Sequence, residues 1–235
     1  MNYRKKCLDS NIELVKRTLI SFTWGNASVI DRHNNIVYIK PSGVDYCDLN
    51  EENIVAINLS DGTPINSKSL TPSSDTSTHL ALFRSWPEIG GIVHTHSEYA
   101  TAHAQIERDI AAEGTTHADY FFGNIPCTRR LTEDEVCSEY ELNTGLVIVE
   151  EFAARDIDPL AVPACLVAQH GPFAWGKTVD DAVFHASVLE QIARMAVHCR
   201  SLDLNEHGVP DYLLRKHYER KHGPKAYYGQ SSNNQ

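Results

Sequence analysis

Apolar positions in the first half of the chain predict one helix and then several strands. Near the start they recur three or four residues apart, the spacing of an amphipathic helix, at Leu8, Ile12, Val15 and Leu19. Short runs rich in β-branched residues then predict strands. These runs are Phe22–Ile30, which Gly25 and Asn26 interrupt, Ile36–Ile39, and Ile54–Leu59 before a turn at Asp61-Gly62.

The second half of the chain predicts longer helices and a buried strand. A helix is expected to begin near Ser74 or Asp75 and to stop before Pro87, and another is expected over Tyr99–Ala112. Thr132-Glu133-Asp134-Glu135 has the spacing of a capping box, so a helix should begin there. The apolar run Val162–Ala168 predicts a buried strand, and Thr178 is placed to cap a long helix.

A pair of histidines marks the strand predicted within Gly90–Ser97. His94 and His96 are two residues apart, and side chains at that spacing point to the same face of a strand. Two imidazoles on one face can bind one metal ion. The chain holds 12 histidines, so chance alone is an equally good explanation of this pair. His170, which follows the buried strand and precedes Gly171-Pro172, is the natural candidate for a third ligand.

Other polar residues have both a functional and a structural explanation. Lys40-Pro41-Ser42-Gly43 at a strand end suits an anion-binding loop or a solvated turn. Asp75 suits a helix cap, although the same helix start could bind phosphate and its carboxylate could reach a metal ion. Asp119, among aromatic residues, suits a desolvated general base or another helix cap.

Composition narrows the class of protein. A chain of 235 residues suits a single domain, expected over 1–230, followed by a polar tail at 231–235 that we expect to be disordered. The formal charge of −10 argues against nucleic acid as a partner. No apolar run has membrane-spanning length and no signal-peptide core follows the N-terminus, so neither a membrane partner nor export is expected. The 6 scattered cysteines suit reduced thiols in the cytoplasm.

Seven segments together resemble the class II aldolase/adducin family, and they occur in the order found in that family. One such segment would be weak support, but seven in sequence over about Phe22 to Gln230 are specific. The segments are Trp24-Gly25-Asn26, Lys40-Pro41-Ser42-Gly43-Val44-Asp45-Tyr46, Pro72-Ser73-Ser74-Asp75-Thr76, Gly91-Ile92-Val93-His94-Thr95-His96-Ser97, Thr115-Thr116-His117-Ala118-Asp119-Tyr120, His170-Gly171-Pro172-Phe173-Ala174-Trp175-Gly176 and Lys225-Ala226-Tyr227-Tyr228-Gly229-Gln230.

The resemblance implies an α/β fold, a three-layer α/β/α sandwich around a mixed, largely antiparallel sheet. It also implies one Zn²⁺ per subunit, replaceable by Mn²⁺ or Co²⁺, with Asp75, His94, His96 and His170 at the metal. Asp119 and Tyr228 match an acid/base pair that reaches the site from an adjacent subunit of a homotetramer. Substrate contacts, chiefly to phosphate, are implied for Gly25, Asn26, Ser42, Gly43, Ser73 and Ser74.

Within the family, the chain is most similar to isomerases that interconvert L-ribulose 5-phosphate and D-xylulose 5-phosphate. The implied reaction breaks and re-forms the C3–C4 bond, without a redox cofactor, in pentose catabolism such as that of arabinose. A class II sugar-phosphate aldolase is the nearest alternative, and a non-catalytic adducin-like module is another. Asp75, where the aldolases compared carry glutamate, and Tyr227-Tyr228 favour the isomerase, while the complete set of histidines argues against the adducin-like module.

Overall fold

The computed structural model describes residues 1–224 and 226–227, and these contain one six-stranded sheet. The strand order is β3-β2-β1-β4-β6-β5, and every pairing between these strands is antiparallel. An isolated parallel bridge joins Cys127 to Leu166. The strands are β1 (Asn26–Asp31), β2 (Ile36–Ile39), β3 (Val55–Asn58), β4 (Gly91–His94), β5 (Ala164–Val167) and β6 (Gly171–Gly176).

Helices cover both faces of the sheet, as expected for a three-layer α/β fold. They are α1 (Tyr3–Lys16), α2 (Thr76–Ser85), α3 (Glu98–Gln105), α4 (Thr115–Ala118), α5 (Glu133–Cys137), α6 (Tyr140–Ala154), α7 (Val179–Leu202) and α8 (Asp211–His222), with a 3-10 helix at Glu51–Asn53.

The alternation of side chains along β6 shows which helices lie on which face. Trp175 packs with Trp86, which ends α2, and with Phe152 of α6, at ring-centroid distances of 4.8 and 5.3 Å. Gly176 points the other way, where a Cβ atom would lie 2.4 Å from Asp181 of α7. Because alternate residues of a strand face opposite sides, α2 and α6 form one outer layer and α7 lies in the other.

Two predicted elements are shorter than the sequence pattern suggested. The strand expected over Phe22–Ile30 begins only at Asn26, because Phe22 (φ 56°) and Gly25 (φ 97°) have left-handed backbone conformations that an extended strand does not allow. The helix expected over Tyr99–Ala112 ends at Gln105, and Glu107 has φ 58°. After a turn at 106–107 the segment has no regular secondary structure, apart from an isolated bridge between Ile110 and Ile125.

Local capping signals were more reliable guides to helix starts. Thr132 forms the predicted capping box at the first turn of α5. Thr178 caps α7 as predicted, and its capping box with Asp181 is reciprocal too. No sequence pattern predicted helix α6.

All six cysteines are free thiols. Within the described part of the chain, no helix combines the length and apolar character needed to cross a membrane.

Candidate active site

The centre of the candidate site is a pair of imidazoles beside the end of β4. His94 is the last residue of that strand, and His96 lies just beyond it. Their ring centroids are 4.9 Å apart and their Nε2 atoms are 3.2 Å apart. The sequence spacing therefore produces the expected common orientation, although His96 lies outside the regular strand.

His170 completes a cluster of three imidazoles from the turn between β5 and β6. Gln169 in this turn has φ 61°, which reverses the chain so that β6 runs back beside β5. The His170 ring lies 4.8 Å from the His94 ring and 5.2 Å from the His96 ring. One nitrogen from each ring lies within 4.8 Å of the other two, so the three residues can hold one metal ion.

The protonation of the cluster suits a divalent cation. His94 donates its Nδ1 proton to the carbonyl oxygen of Pro172 at 3.0 Å, so Nε2 is the ring nitrogen available to a metal ion. Burial, with nearby His94, lowers the pKa of His96 to about 4. The same causes, in the same order, lower the pKa of His170 to about 3. These two rings are therefore neutral at pH 7, as metal binding requires.

The nitrogen spacing also fits a metal site. Two imidazole nitrogens bound to one tetrahedral zinc ion, each at about 2.0–2.1 Å, lie about 3.3 Å from each other. The Nε2 atoms of His94 and His96 are separated by 3.2 Å. Both the donor chemistry and the geometry of these residues thus fit zinc or a similar divalent cation.

Asp75 places a carboxylate beside the imidazoles. It occupies the N-cap position of α2 but makes no side-chain capping hydrogen bond, so the capping role that its position predicts is wrong. Its Oδ2 instead accepts a hydrogen bond from Asn26 Nδ2 at 2.7 Å. Burial alone would raise the pKa of Asp75, but His94, His79 and this hydrogen bond outweigh burial and hold the pKa below its usual value. The carboxylate is therefore ionised.

The histidines and Asp75 open into a cavity of about 630 Å³. Every residue that the resemblance implies for the metal or for substrate binding lines this cavity. Lys40 lines it too, as do Tyr140 and Glu141, for which no sequence pattern indicated a function. The lining residues are Thr23, Trp24, Gly25, Asn26, Lys40, Pro41, Ser42, Gly43, Ser73, Ser74, Asp75, His94, His96, Tyr140, Glu141 and His170.

One end of the cavity is built from two loops that are hydrogen-bonded to each other. The Ser42 amide donates to Thr71 O at 2.9 Å, and the Ser73 amide donates to Lys40 O at 3.0 Å. Lys40 is only 2% exposed, and its Nζ lies 4.9 Å from the centre of the Tyr46 ring. Serine hydroxyls and a lysine held together in this way suit a phosphate group.

Asp119 lies apart from this cavity. It follows α4 directly and is 9% exposed. Its Oδ1 accepts hydrogen bonds from His217 Nδ1 and from Arg220 of α8, both at 3.0 Å. Burial alone would raise the pKa of Asp119, but the hydrogen bonds from Arg220 and His217, together with the charge of Lys221, lower it. Within one chain, Asp119 is thus an ionised carboxylate outside the cavity with the histidines. Tyr228, its predicted partner, lies outside the described residues.

Residues 5–197 match the family described as "Class II Aldolase and Adducin N-terminal domain". The chain belongs to this family. Among its relatives, "L-ribulose-5-phosphate 4-epimerase UlaF" of Salmonella typhi is 52% identical over 227 residues, which cover 97% of this chain and 98% of that protein. The protein of the same name from Salmonella paratyphi C is 51% identical over the same share of each chain.

Solved structures of the family share the fold. L-fuculose 1-phosphate aldolase superposes with a TM-score of 0.77 at 23% identity, covering 93% of this chain and 95% of that one. A sugar-phosphate aldolase from Thermotoga maritima superposes with a TM-score of 0.64 at 20% identity, covering 88% and 98%. The three-layer α/β fold that the seven sequence segments implied is therefore confirmed.

Gly25, in the first of those segments, allows the chain to pass close to the end of β4 at His94. Its φ is 97°, and a Cβ atom there would lie 2.6 Å from the His94 carbonyl oxygen. We expect Gly25→Ala to destabilise the protein by about 2 kcal/mol or more, which lowers the unfolding midpoint by roughly 4–8 °C. Gly43→Ala is the matched control, because Gly43 has φ 67° but its Cβ would meet no atom within 4 Å. Calorimetry showing equal losses in both variants would contradict a clash at Gly25.

The buried ring of His117, two residues before Asp119, should make the folded protein less stable in acid. The ring is 3% exposed, its Nε2 lies 2.7 Å from the Gly123 carbonyl oxygen, and burial lowers its pKa to about 4. The unfolded state binds this proton near pH 6.5 and the folded state does not, so protonation of His117 does not reduce the free energy of unfolding above pH 6.5. As the pH falls from 6.5 towards 4, the free energy of unfolding decreases by up to roughly 3 kcal/mol.

The measurement that checks this is the unfolding free energy of wild type and His117→Gln between pH 7.5 and 4.5. The difference between the two proteins should shrink as the pH falls, because only wild type loses this contribution. A difference that stays constant over that range would contradict the assignment.

Proposed function

We propose that this protein is an L-ribulose-5-phosphate 4-epimerase, an isomerase that interconverts L-ribulose 5-phosphate and D-xylulose 5-phosphate. The observation that carries the proposal is that relatives bearing this name match almost the whole chain at 52% identity. The gathering of Asp75, His94, His96 and His170 in one cavity with the serine-lined loops supports it independently.

A divalent cation, which we propose is zinc, would be held by His94, His96 and His170, with Asp75 beside it. When bound, it would supply Lewis-acid stabilisation of the negative charge that develops on the substrate's ketone oxygen, worth several kcal/mol. The site is pre-organised for a cation because the rings of His96 and His170 are neutral and the Asp75 carboxylate is ionised.

The phosphate of the substrate would bind at the serine-lined end of the cavity. Ser42, Ser73 and Ser74 offer hydroxyl groups there, and Lys40 contributes a positive charge. An anchored phosphate keeps the two-carbon fragment in place after the C3–C4 bond breaks, which an epimerase requires and a fragment-releasing aldolase does not. The open space beside Gly43, where a Cβ would meet no atom within 4 Å, leaves room for the phosphate oxygens.

The reaction balances with two proton-transfer groups and no redox step. A base removes the proton of the C4 hydroxyl, and the C3–C4 bond breaks to give the enediolate of dihydroxyacetone and glycolaldehyde phosphate. The aldehyde turns over, C3 attacks its other face, and an acid returns a proton to the C4 oxygen. Asp119 and Tyr228 are the proposed pair, one for each face of the aldehyde.

Because Asp119 lies outside the cavity of its own chain, we propose that it serves the cavity of an adjacent subunit in a homotetramer. Its contacts with His217 and Arg220 keep the carboxylate ionised and fixed in direction. We further propose a cytoplasmic location, in keeping with a phosphorylated substrate and six free thiols.

The test is to incubate zinc-loaded protein with L-ribulose 5-phosphate and to measure D-xylulose 5-phosphate and glycolaldehyde phosphate together. The proposal expects xylulose 5-phosphate without free aldehyde. Accumulating aldehyde would instead identify a sugar-phosphate aldolase. If neither product forms with protein that is shown to hold its metal, L-ribulose 5-phosphate is excluded as the substrate.

A further inference from the structure

Tyr140 connects the imidazole cluster to helix α6. It is the first residue of α6, it is half-buried, and it lines the same cavity as the three histidines. Its hydroxyl oxygen lies 3.4 Å from Nδ1 of His170, and the two rings are 6.1 Å apart. No sequence motif singled out this tyrosine.

The start of α6 is held firmly against α2, the helix that begins beside Asp75. The two helices approach closely at Gly145, where a Cβ would lie 2.7 Å from Ala81 Cβ and 2.9 Å from Thr78 O. The Thr78 hydroxyl also donates a hydrogen bond to Glu141 O. Within α6, Thr144 Oγ1 donates to the Tyr140 carbonyl oxygen at 2.9 Å. The backbone of Tyr140 is therefore fixed relative to the cavity.

The direction of the hydrogen bond between Tyr140 and His170 follows from what a cation requires. A neutral imidazole carries one N–H and one lone pair. If the proton is on Nδ1, it is donated to the tyrosine oxygen and Nε2 is left free for the cation. Metal-binding histidines generally donate their second nitrogen in this way, and His94 does the same towards Pro172 O.

We propose that Tyr140 is a positioning residue that accepts the Nδ1 proton of His170 and so fixes the tautomer and the ring orientation of the third metal ligand. The inference rests on the proposed function, since it needs a cation at the three histidines. With its oxygen engaged as an acceptor, the tyrosine keeps its own O–H proton free to donate to a substrate oxygen in the cavity.

The test measures zinc binding without substrate. Metal-free wild type, Tyr140→Phe and Tyr38→Phe compete with a chromophoric chelator for Zn²⁺. Removing an outer hydrogen-bond partner of a ligand typically weakens metal affinity about 10–100-fold, and we expect Tyr140→Phe to show a loss in that range. Tyr38 is the matched control, because it is a half-buried tyrosine of β2 whose ring stacks on Tyr3 at 5.7 Å, and it does not line this cavity.

A second measurement stays informative if Tyr140→Phe folds poorly. Nitrogen–proton correlation spectra of zinc-loaded wild type should show His170 protonated at Nδ1, whereas protonation at Nε2 would overturn the proposal. Equal zinc affinity in wild type and Tyr140→Phe would overturn it too, as would an equal loss in Tyr38→Phe. Wild type that binds no zinc would refute the proposed cation site itself. That result differs from equal zinc binding by wild type and Tyr140→Phe, which would refute only the role of Tyr140.

Discussion

Replacing His96 with asparagine is expected to remove bound zinc and turnover together. The His96 Nε2 atom lies 3.2 Å from that of His94, and the asparagine side chain is too short to bring a donor atom to the same point. Loss of several kcal/mol of Lewis-acid stabilisation, at tenfold in rate per 1.36 kcal/mol, predicts a fall in kcat of about 10³-fold or more. Metal content by atomic emission and turnover of L-ribulose 5-phosphate check the two effects.

His33→Asn is the control for this substitution. His33 is exposed and lies in the turn between β1 and β2, far along the sheet from the cavity. That variant should keep its zinc and its turnover. Unchanged zinc content in His96→Asn would show that His96 is not a ligand, and a fall in metal content with full turnover would remove the cation from the chemistry.

Asp119→Asn is expected to lower turnover by about 10²–10⁴-fold while zinc content stays constant. The reason is that asparagine keeps the size of the side chain but cannot accept a proton at neutral pH. If Asp119 serves an adjacent subunit, then mixing Asp119→Asn with His96→Asn chains should restore activity. In randomly mixed tetramers, roughly a quarter of the sites would combine an intact His96 with an intact Asp119.

Two controls accompany the mixing experiment. Asp109→Asn changes a half-buried, ion-paired aspartate whose carboxylate accepts a hydrogen bond from the Cys127 amide at 2.8 Å. Its chains keep His96 and Asp119 intact, so mixing them with His96→Asn chains should give no activity beyond that of the Asp109→Asn chains themselves. Native mass spectrometry must show that mixed oligomers form. Mixed tetramers without recovered activity would contradict sites shared between chains.

Local sequence patterns were sufficient where a structural feature depends on neighbouring residues. The strand Ile36–Ile39 has the predicted bounds, and Thr178 caps α7 as predicted. The pattern was wrong where a single backbone angle ended an element. Glu107 at φ 58° follows the early end of α3, although the apolar spacing continues.

Asp75 illustrates the limit of local reasoning about a site. Its position before α2 favoured a capping role, which is the common use of an aspartate at a helix start. In the folded chain, Asn26 of β1 lies within hydrogen-bonding distance and binds the carboxylate, and His94 stabilises its charge. Strand pairing between β1 and β4, in which Asn26 is opposite His94, creates this arrangement.

The sequence by itself determined the family, the α/β class and the residue types of the candidate site, because seven ordered segments and the alternation of a strand are readable without coordinates. The tertiary structure decided that residues of these segments line one cavity and that the Tyr140 hydroxyl lies next to His170. It also decided that Asp119 lies outside the cavity, in contact with α8. The physical reason is that such contacts join residues 30 or about a hundred positions apart. Packing between helices and the sheet sets those contacts, whereas local backbone preference does not.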